Sequence, residues 1–166
     1  MRKPLIRLAG PADIPHLISI RFDASQRAFQ ESFGIDFSPP DATSLGKIWQ
    51  RRFQRSSQIV FLLEVEDAPV AYAGISLESP GKGRIAGLYV KSCAAGRGMG
   101  RMLLDTALHF LVKKGCVSCS LEVMEGNLRA CRLYKNYGFI YTHEDRVVNL
   151  NGRVYTLQKM LKFLSD

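Results

Sequence analysis

The spacing of apolar residues changes period along this chain, and each change marks an element. Lys3 to Ala9, with Leu5, Ile6 and Leu8, reads as a short strand. Pro11-Ala12-Asp13 then opens a helix in which Ile14, Leu17, Ile18 and Phe22 recur at helical spacing and which Phe29 and Phe33 extend. Gly34 to Thr43 holds Pro39-Pro40 with Asp36, Ser38 and Asp41 and reads as a loop, after which Leu45, Ile48, Trp49 and Phe53 predict a second helix. Ile59 to Glu66 and Val70 to Leu77 are two apolar runs joined by Asp67-Ala68-Pro69, a hairpin pattern, and Ser79 to Gly83 is the next turn. Arg84 to Lys91 is a further strand, Gly98 to Lys114 a helix with Leu104, Ala107, Leu108 and Leu111 on one face, and Gly115 its C-cap. Val117 to Met124 returns to strand period, Asn127 to Tyr137 to helix, and Phe139 to Val148 with Arg153 to Leu161 forms a last hairpin about Asn151-Gly152. The sum is an α/β (α+β) fold: a mixed, mostly antiparallel sheet of about seven strands with about four helices on its two faces.

Composition narrows this only a little. At 166 residues the chain is expected to form a single domain, spanning 1–166, able to bury about 70% of the surface its unfolded form exposes. No apolar run approaches the roughly 18 residues of a membrane span, and Met-Arg-Lys-Pro does not lead into an apolar signal core. A cytoplasmic protein with no membrane partner is expected. The formal charge of +8 suits an anionic partner, either a nucleic acid or a polyanion such as coenzyme A. Lys and Arg are scattered with no block and no recognition motif, so a nucleic acid is not expected. Cys93, Cys116, Cys119 and Cys131 read as reduced thiols. Cys116 and Cys119 form a C-x-x-C, but on a strand they point to opposite faces and cannot share a metal; His16, His109 and His143 are scattered, and no metal is expected.

Two segments carry candidate chemistry. In the first, Val90-Lys91-Ser92-Cys93-Ala94-Ala95-Gly96-Arg97-Gly98-Met99-Gly100-Arg101, a strand passes through three alternating glycines into a helix. Glycines let backbone N–H groups approach phosphate oxygens, and the helix start adds unsatisfied donors and the positive end of its dipole. Arg97 and Arg101 add full charges. The second segment runs from Leu121-Glu122-Val123 to Gly138-Phe139, with Asn127 as a natural N-cap and Ala130, Leu133 and Tyr134 on one helix stripe. A dinucleotide site fits the first segment poorly, because the spacing is Gly96-x-Gly98-x-Gly100 and the turn follows antiparallel strands.

Together the two segments resemble the Gcn5-related N-acetyltransferase (GNAT) superfamily, whose cofactor motif is Gln/Arg-x-x-Gly-x-Gly/Ala and whose next motif is Asn-x-x-Ala-x-x-Leu-Tyr-x-x-x-Gly-Phe. The second is complete at Asn127, Ala130, Leu133, Tyr134, Gly138 and Phe139; in the first, Ala95 stands where the family has Gln or Arg. The resemblance covers Ile59 to Leu161 and, more loosely, the opening strand and helix. It implies an acetyl-CoA-dependent N-acetyltransferase acting by direct attack of a primary amine, without an acyl-enzyme. The pantetheine arm is expected along Leu88, Tyr89 and Val90, and the diphosphate at Ala95, Gly96, Arg97, Gly98, Met99, Gly100 and Arg101. Asn127 would bond to the arm and Tyr134 would act as general acid to the departing thiolate; a packed aromatic is the alternative for Tyr134.

The attacking amine must shed a proton. Glu122 is the candidate base, because a carboxylate in an otherwise apolar strand should have its pKa raised toward neutrality. In superfamily members that acetylate ribosomal-protein amino termini, a Leu-Glu-Val glutamate placed likewise does this. A Glu122 paired to a nearby Arg is the alternative, and Glu64, Glu66, Glu78 and His143 are weaker candidates. The acceptor, a small molecule or a peptide, is expected to be shaped by Ile14 to Arg55 and the last hairpin. A homodimer is compatible with the family, and a non-catalytic acyl-CoA-sensing or protein-binding module is the alternative function.

Overall fold

A computed structural model describes residues 2–165. The chain runs β1 (Leu5–Leu8), α1 (Ile14–Phe33), α2 (Ala42–Phe53), β2 (Gln58–Val65), β3 (Ala68–Ser79), β4 (Lys82–Val90), α3 (Met99–Lys113), β5 (Ser118–Met124), α4 (Leu128–Asn136), β6 (Ile140–Leu150) and β7 (Arg153–Phe163). Short 3-10 turns at Pro11–Asp13 and Ser92–Ala94 lead into α1 and α3. The strands form one sheet in the order β1-β2-β3-β4-β5-β7-β6. Of its pairs β4 with β5 is parallel and the rest are antiparallel. This is the mixed sheet with four helices that the apolar periods predict.

Local chemistry sets the boundaries. Among the described residues, two of the three two-residue hairpins turn on two consecutive left-handed residues, Glu66 and Asp67 (φ 52 and 64) and Asn151 and Gly152 (φ 52 and 79), the geometry that matches strand twist. The first turn therefore sits earlier than Asp67-Ala68-Pro69, and Ala68 and Pro69 already belong to β3. Pro69 is tolerated there because it faces Glu64 where the register slips. At the start of α1, Arg7 forks onto Asp13 with bonds of 2.9 and 2.8 Å and also donates to Glu64. Asp13 in turn accepts the Gly10 N–H, so the entry to α1 is tied to β1 and β2.

Side-chain alternation divides the core between the two faces of the sheet. Leu17 and Ile20 of α1 and Trp49 of α2 pack on Val60, Leu62 and Tyr72. Leu103 of α3 packs on Leu63, Ala71 and Ala73. Leu104, Ala107 and Leu111 of α3 and Tyr134 of α4 pack on Ile75, Ile85, Leu121 and Val123. Cys116 and Cys119 correct one expectation: they do not point to opposite faces. Cys116 precedes β5, and both thiols are buried in the same cluster beside Leu111. Both are free, and burial pushes the Cys119 thiol up to about 12, so it stays protonated and inert.

The sheet has one break that matters for function. Opposite Gly74 stands Gly87 and opposite Ile75 stands Ile85, so Ala86 is an extra residue, a bulge in β4. A bulge bends its strand and increases the local twist. The parallel pairing of β4 with β5 stops at this point, at Ile85 and Leu121. Beyond it Gly87 to Val90 and Glu122 to Met124 part, and a slot opens in the middle of the sheet.

Candidate active site

The slot leads into a cleft of about 1270 Å³, larger than the roughly 300–1,000 Å³ of a typical small-ligand pocket. Leu88, Tyr89 and Val90 form one wall, Leu121 to Met124 the other, and Asn127, Ala130, Leu133 and Tyr134 of α4 close the side. Because β3 takes one edge of β4 and no described strand takes the other past Ile85, the β4 backbone groups directed away from β3 face the slot.

At one end lies the glycine turn. Ala95, Gly96, Gly98, Met99, Gly100 and Arg101 line the cleft, whereas Arg97 is exposed and lies outside its lining. Gly96 and Gly98 have φ 71 and 82, and a Cβ built on either meets nothing within 4 Å. Backbone conformation, not crowding, thus requires glycine there, and the space in front of it is free for a ligand. Gly98 is the N-cap of α3, so the first-turn N–H groups of Met99, Gly100 and Arg101 lack intrahelical acceptors and make an anion-binding end.

Asn127 caps α4, its side-chain oxygen accepting the Ala130 N–H at 3.2 Å. This fixes the helix that carries Tyr134. Tyr134 is buried against Phe139, ring centroids 5.9 Å apart, yet it borders the cleft. Burial first, and the neighbouring Tyr89 second, push its phenol well above the ordinary tyrosine range. It is a protonated donor at every physiological pH.

Glu122 differs from its expectation. The carboxylate does border the cleft, but its pKa is lowered, chiefly by the hydrogen bond from Arg146. Arg146 Nε donates to it at 2.8 Å and Arg84 Nη2 at 2.6 Å. The apolar strand alone would have raised the pKa; two guanidiniums from other strands outweigh that burial. The weaker candidates lie elsewhere. Glu64 belongs to the Arg7 pair, Glu66 to a turn, Glu78 lies 3.8 Å from Arg84, and the His143 ring stacks on Tyr141. Among the described residues, no group of three His, Cys, Asp or Glu is arranged to hold a metal ion.

The far end of the cleft falls in Ile14 to Arg55 and the last hairpin, segments in which no motif singles out a residue. There the C-terminal half of α1 and the loop after it supply Phe29, Phe33, Phe37, Pro39 and Pro40, and the hairpin of β6 and β7 supplies Asn149, Leu150, Asn151 and Leu157. Phe29 packs on Phe37 at 4.8 Å and on Tyr155 at 5.4 Å between centroids. Asn151 donates to the Ser38 carbonyl at 3.0 Å, joining the loop to the hairpin tip. Arg21, over the Tyr89 ring at 5.7 Å, is a cation on the β4 side of the cleft. The four-residue step from Phe29 to Phe33 was the one available signal, and it reads equally as core.

A sheet split at its parallel pair, with a glycine-turned helix N-terminus at one end of the split and a capped helix carrying a buried tyrosine beside it, defines the GNAT class of acetyltransferase folds. The sequence pattern of the acetyltransferase (GNAT) family matches residues 22–139, and the chain belongs to that family. A ribosomal-protein-alanine N-acetyltransferase from Brucella melitensis superimposes with a TM-score of 0.75 at 26% identity, covering 96% of this chain and 99% of that one. An acetyltransferase structure from Salmonella typhimurium, solved with its cofactor acetyl-CoA, gives 0.76 at 21% identity, covering 99% and 96% of the two chains. Among curated proteins, a mycothiol acetyltransferase from Acidimicrobium ferrooxidans is 43% identical over 51 residues. That match takes in 31% of this chain and 16% of the relative, so the chain spans under a fifth of its length. Among the described residues no helix is long and apolar enough to cross a membrane.

Proposed function

We propose that the chain is an acetyl-CoA-dependent N-acetyltransferase that delivers an acetyl group to a primary amine of a small molecule or peptide, by direct attack with both substrates bound. The observation that carries this reading is the parting of β4 from β5 at Ile85 and Leu121, which leaves an unpaired strand edge leading from the glycine turn to Tyr134. Acetyl-CoA supplies the thioester carbon and the thiolate that leaves it. The backbone of Leu88 to Val90 would hold the pantetheine arm as an added strand and polarise the carbonyl. The N–H groups of Gly96 to Arg101, with the Arg101 side chain, would hold the diphosphate.

Tyr134 donates a hydrogen bond to the departing sulfur. A thiol has an ordinary pKa of about 8.5, below that of a buried phenol, so full proton transfer is uphill and the bond itself does the stabilising. Glu122 stays ionised between its two arginines and is a weak base; it orients the acceptor amine, which loses its proton to solvent. An α-amine, with an ordinary pKa of about 8, is a fitter acceptor by that route than a lysine near 10.4. The Brucella relative is named for a ribosomal-protein alanine and the Acidimicrobium relative for mycothiol, which is in keeping with a protein or a small-molecule acceptor.

The test is calorimetry with acetyl-CoA, followed by thiol release across a library of amines. Absence of saturable acetyl-CoA binding would end this reading. Tyr134→Phe should lower kcat about 10- to 100-fold, the worth of one hydrogen bond to a charged group, while acetyl-CoA affinity stays within about threefold.

A further inference from the structure

Helix α1 borders the slot and is stitched to the end of β4 on one side and to α4 on the other. Asp23 Oδ1 accepts the Ser92 N–H at 2.5 Å and the Ser92 hydroxyl at 3.0 Å, fastening the helix to the turn that leads into α3. One helical turn on, Arg27 Nη2 donates to the Val90 carbonyl at 3.2 Å, at the very end of β4. A further turn on, Glu31 meets Arg129 of α4 at 3.5 Å, and Phe33 packs so close to Gly126 that a Cβ there would lie 3.0 Å from its ring. Residues spaced by four share one helix face, so Asp23, Arg27 and Glu31 look down on the slot in that order, from the glycine turn towards α4.

Within this series Arg27 is incompletely satisfied. Its Nη1 is buried and has no hydrogen-bond partner, although the side chain borders the cleft. A buried guanidinium N–H without an acceptor is costly and calls for an explanation. Nη2 anchors the group at Val90, and a small rotation of the guanidinium about that bond would turn Nη1 to the slot that the side chain borders, where a bound ligand can supply the acceptor. On the acetyltransferase reading, on which this inference rests, the filler is the acyl-CoA, whose pantetheine arm and diphosphate are both rich in oxygen acceptors. The same chain lacks a polar side chain at Ala95, which lines the cleft four residues beyond Lys91. We propose that Arg27 is a cofactor-binding residue, donating from Nη1 to an oxygen of the bound acyl-CoA and supplying from the α1 side the side-chain contact that Ala95 does not.

The experiment measures acetyl-CoA and S-acetylpantetheine affinity by calorimetry for the wild-type chain, Arg27→Met and Arg27→Lys, with the thermal midpoint of each ligand-free protein alongside. A hydrogen bond to a charged donor predicts an acetyl-CoA Kd raised about 10- to 100-fold in Arg27→Met, with the lysine variant recovering part of the loss. Equal loss with S-acetylpantetheine assigns the contact to the arm; loss with acetyl-CoA alone assigns it to the diphosphate, and either supports the proposal. An Arg27→Met Kd within twofold of wild type overturns it. So does a change confined to the acceptor KM, or a loss equal in the two variants and matched by an equal fall in both thermal midpoints. A wild-type chain that does not bind acetyl-CoA sinks the acetyltransferase reading and this inference together, whereas wild-type binding with an unaffected Arg27→Met sinks the inference alone.

Discussion

Asp13→Asn tests how strongly the entry to α1, and with it the roof of the cleft, is held. Asp13 is 8% exposed and receives both arms of the Arg7 fork, which together with the Gly10 N–H lower its carboxyl from 3.8 to about 2. The Arg7 bond is the largest cause, and burial opposes it. At about 1.4 kcal/mol per pKa unit, that shift contributes about 2.5 kcal/mol of stability at neutral pH. Screening trims this figure, because the Arg7 side chain is 39% exposed. The sign follows from the direction of the shift. A lowered carboxyl gives stability that is complete above its unfolded value near 4 and is lost as pH falls through about 2. By pH 3 about 1 kcal/mol of it should be gone. Asparagine keeps the volume and one acceptor but turns an amide towards Arg7 and cannot titrate. Urea unfolding of both proteins should therefore show a gap of about 2 kcal/mol at pH 7 that narrows by about 1 kcal/mol at pH 3. A gap that is the same at the two pH values would refute the assignment of the shift to this fork.

Two predictions bear on the cleft. Because two arginines hold Glu122 below the ordinary carboxylate range, Glu122→Gln should raise the acceptor KM but leave the rising limb of kcat/KM at the pKa of the acceptor amine itself; loss or displacement of that limb would restore Glu122 as the base. Gly98→Ala places a side chain at φ 82 with nothing within 4 Å. It should cost about 1 kcal/mol in stability and raise the acetyl-CoA Kd more than about tenfold. The control is Gly115→Ala, at φ 79 and also uncrowded, which should match the stability loss with acetyl-CoA affinity unchanged.

Much of the fold was legible because each element announces itself locally. The α3 stripe of Leu104, Ala107 and Leu111, the Asn127 cap and the Asn151-Gly152 turn need only a few neighbouring residues to be read, and all three stand where the pattern puts them. The Ala86 bulge was not legible. A bulge is a mismatch in count between two strands, and Ala86 becomes the extra residue only once Gly74 and Ile75 are set opposite Gly87 and Ile85. The same limit inverted the expectation for Glu122. Its neighbours in sequence are Leu121 and Val123, but its partners arrive from β4 and β6.

The two ends of the cleft show that limit at its widest. The glycine-turn end is built from β4 running into α3 and β5 running into α4, so each half of it is one continuous segment. A strand, a glycine turn and a helix start in succession can hold a motif, because the spacing in sequence fixes the spacing in space. The far end is built by contacts between α1 or the loop after it and the last hairpin. Asn151 reaches Ser38 across 113 residues, and Phe29 meets Tyr155 over a comparable separation. Nothing in the spacing of such residues is constrained, because the sheet between them does the positioning. On the acetyltransferase reading proposed above, loop and hairpin can change side chains together without disturbing the glycine-turn end, and the choice of acceptor would be set by Phe29, Phe37, Ser38 and Asn151 of the cleft lining rather than by the glycine turn. Substitution within that set should alter which amine is acetylated while the acetyl-CoA Kd holds.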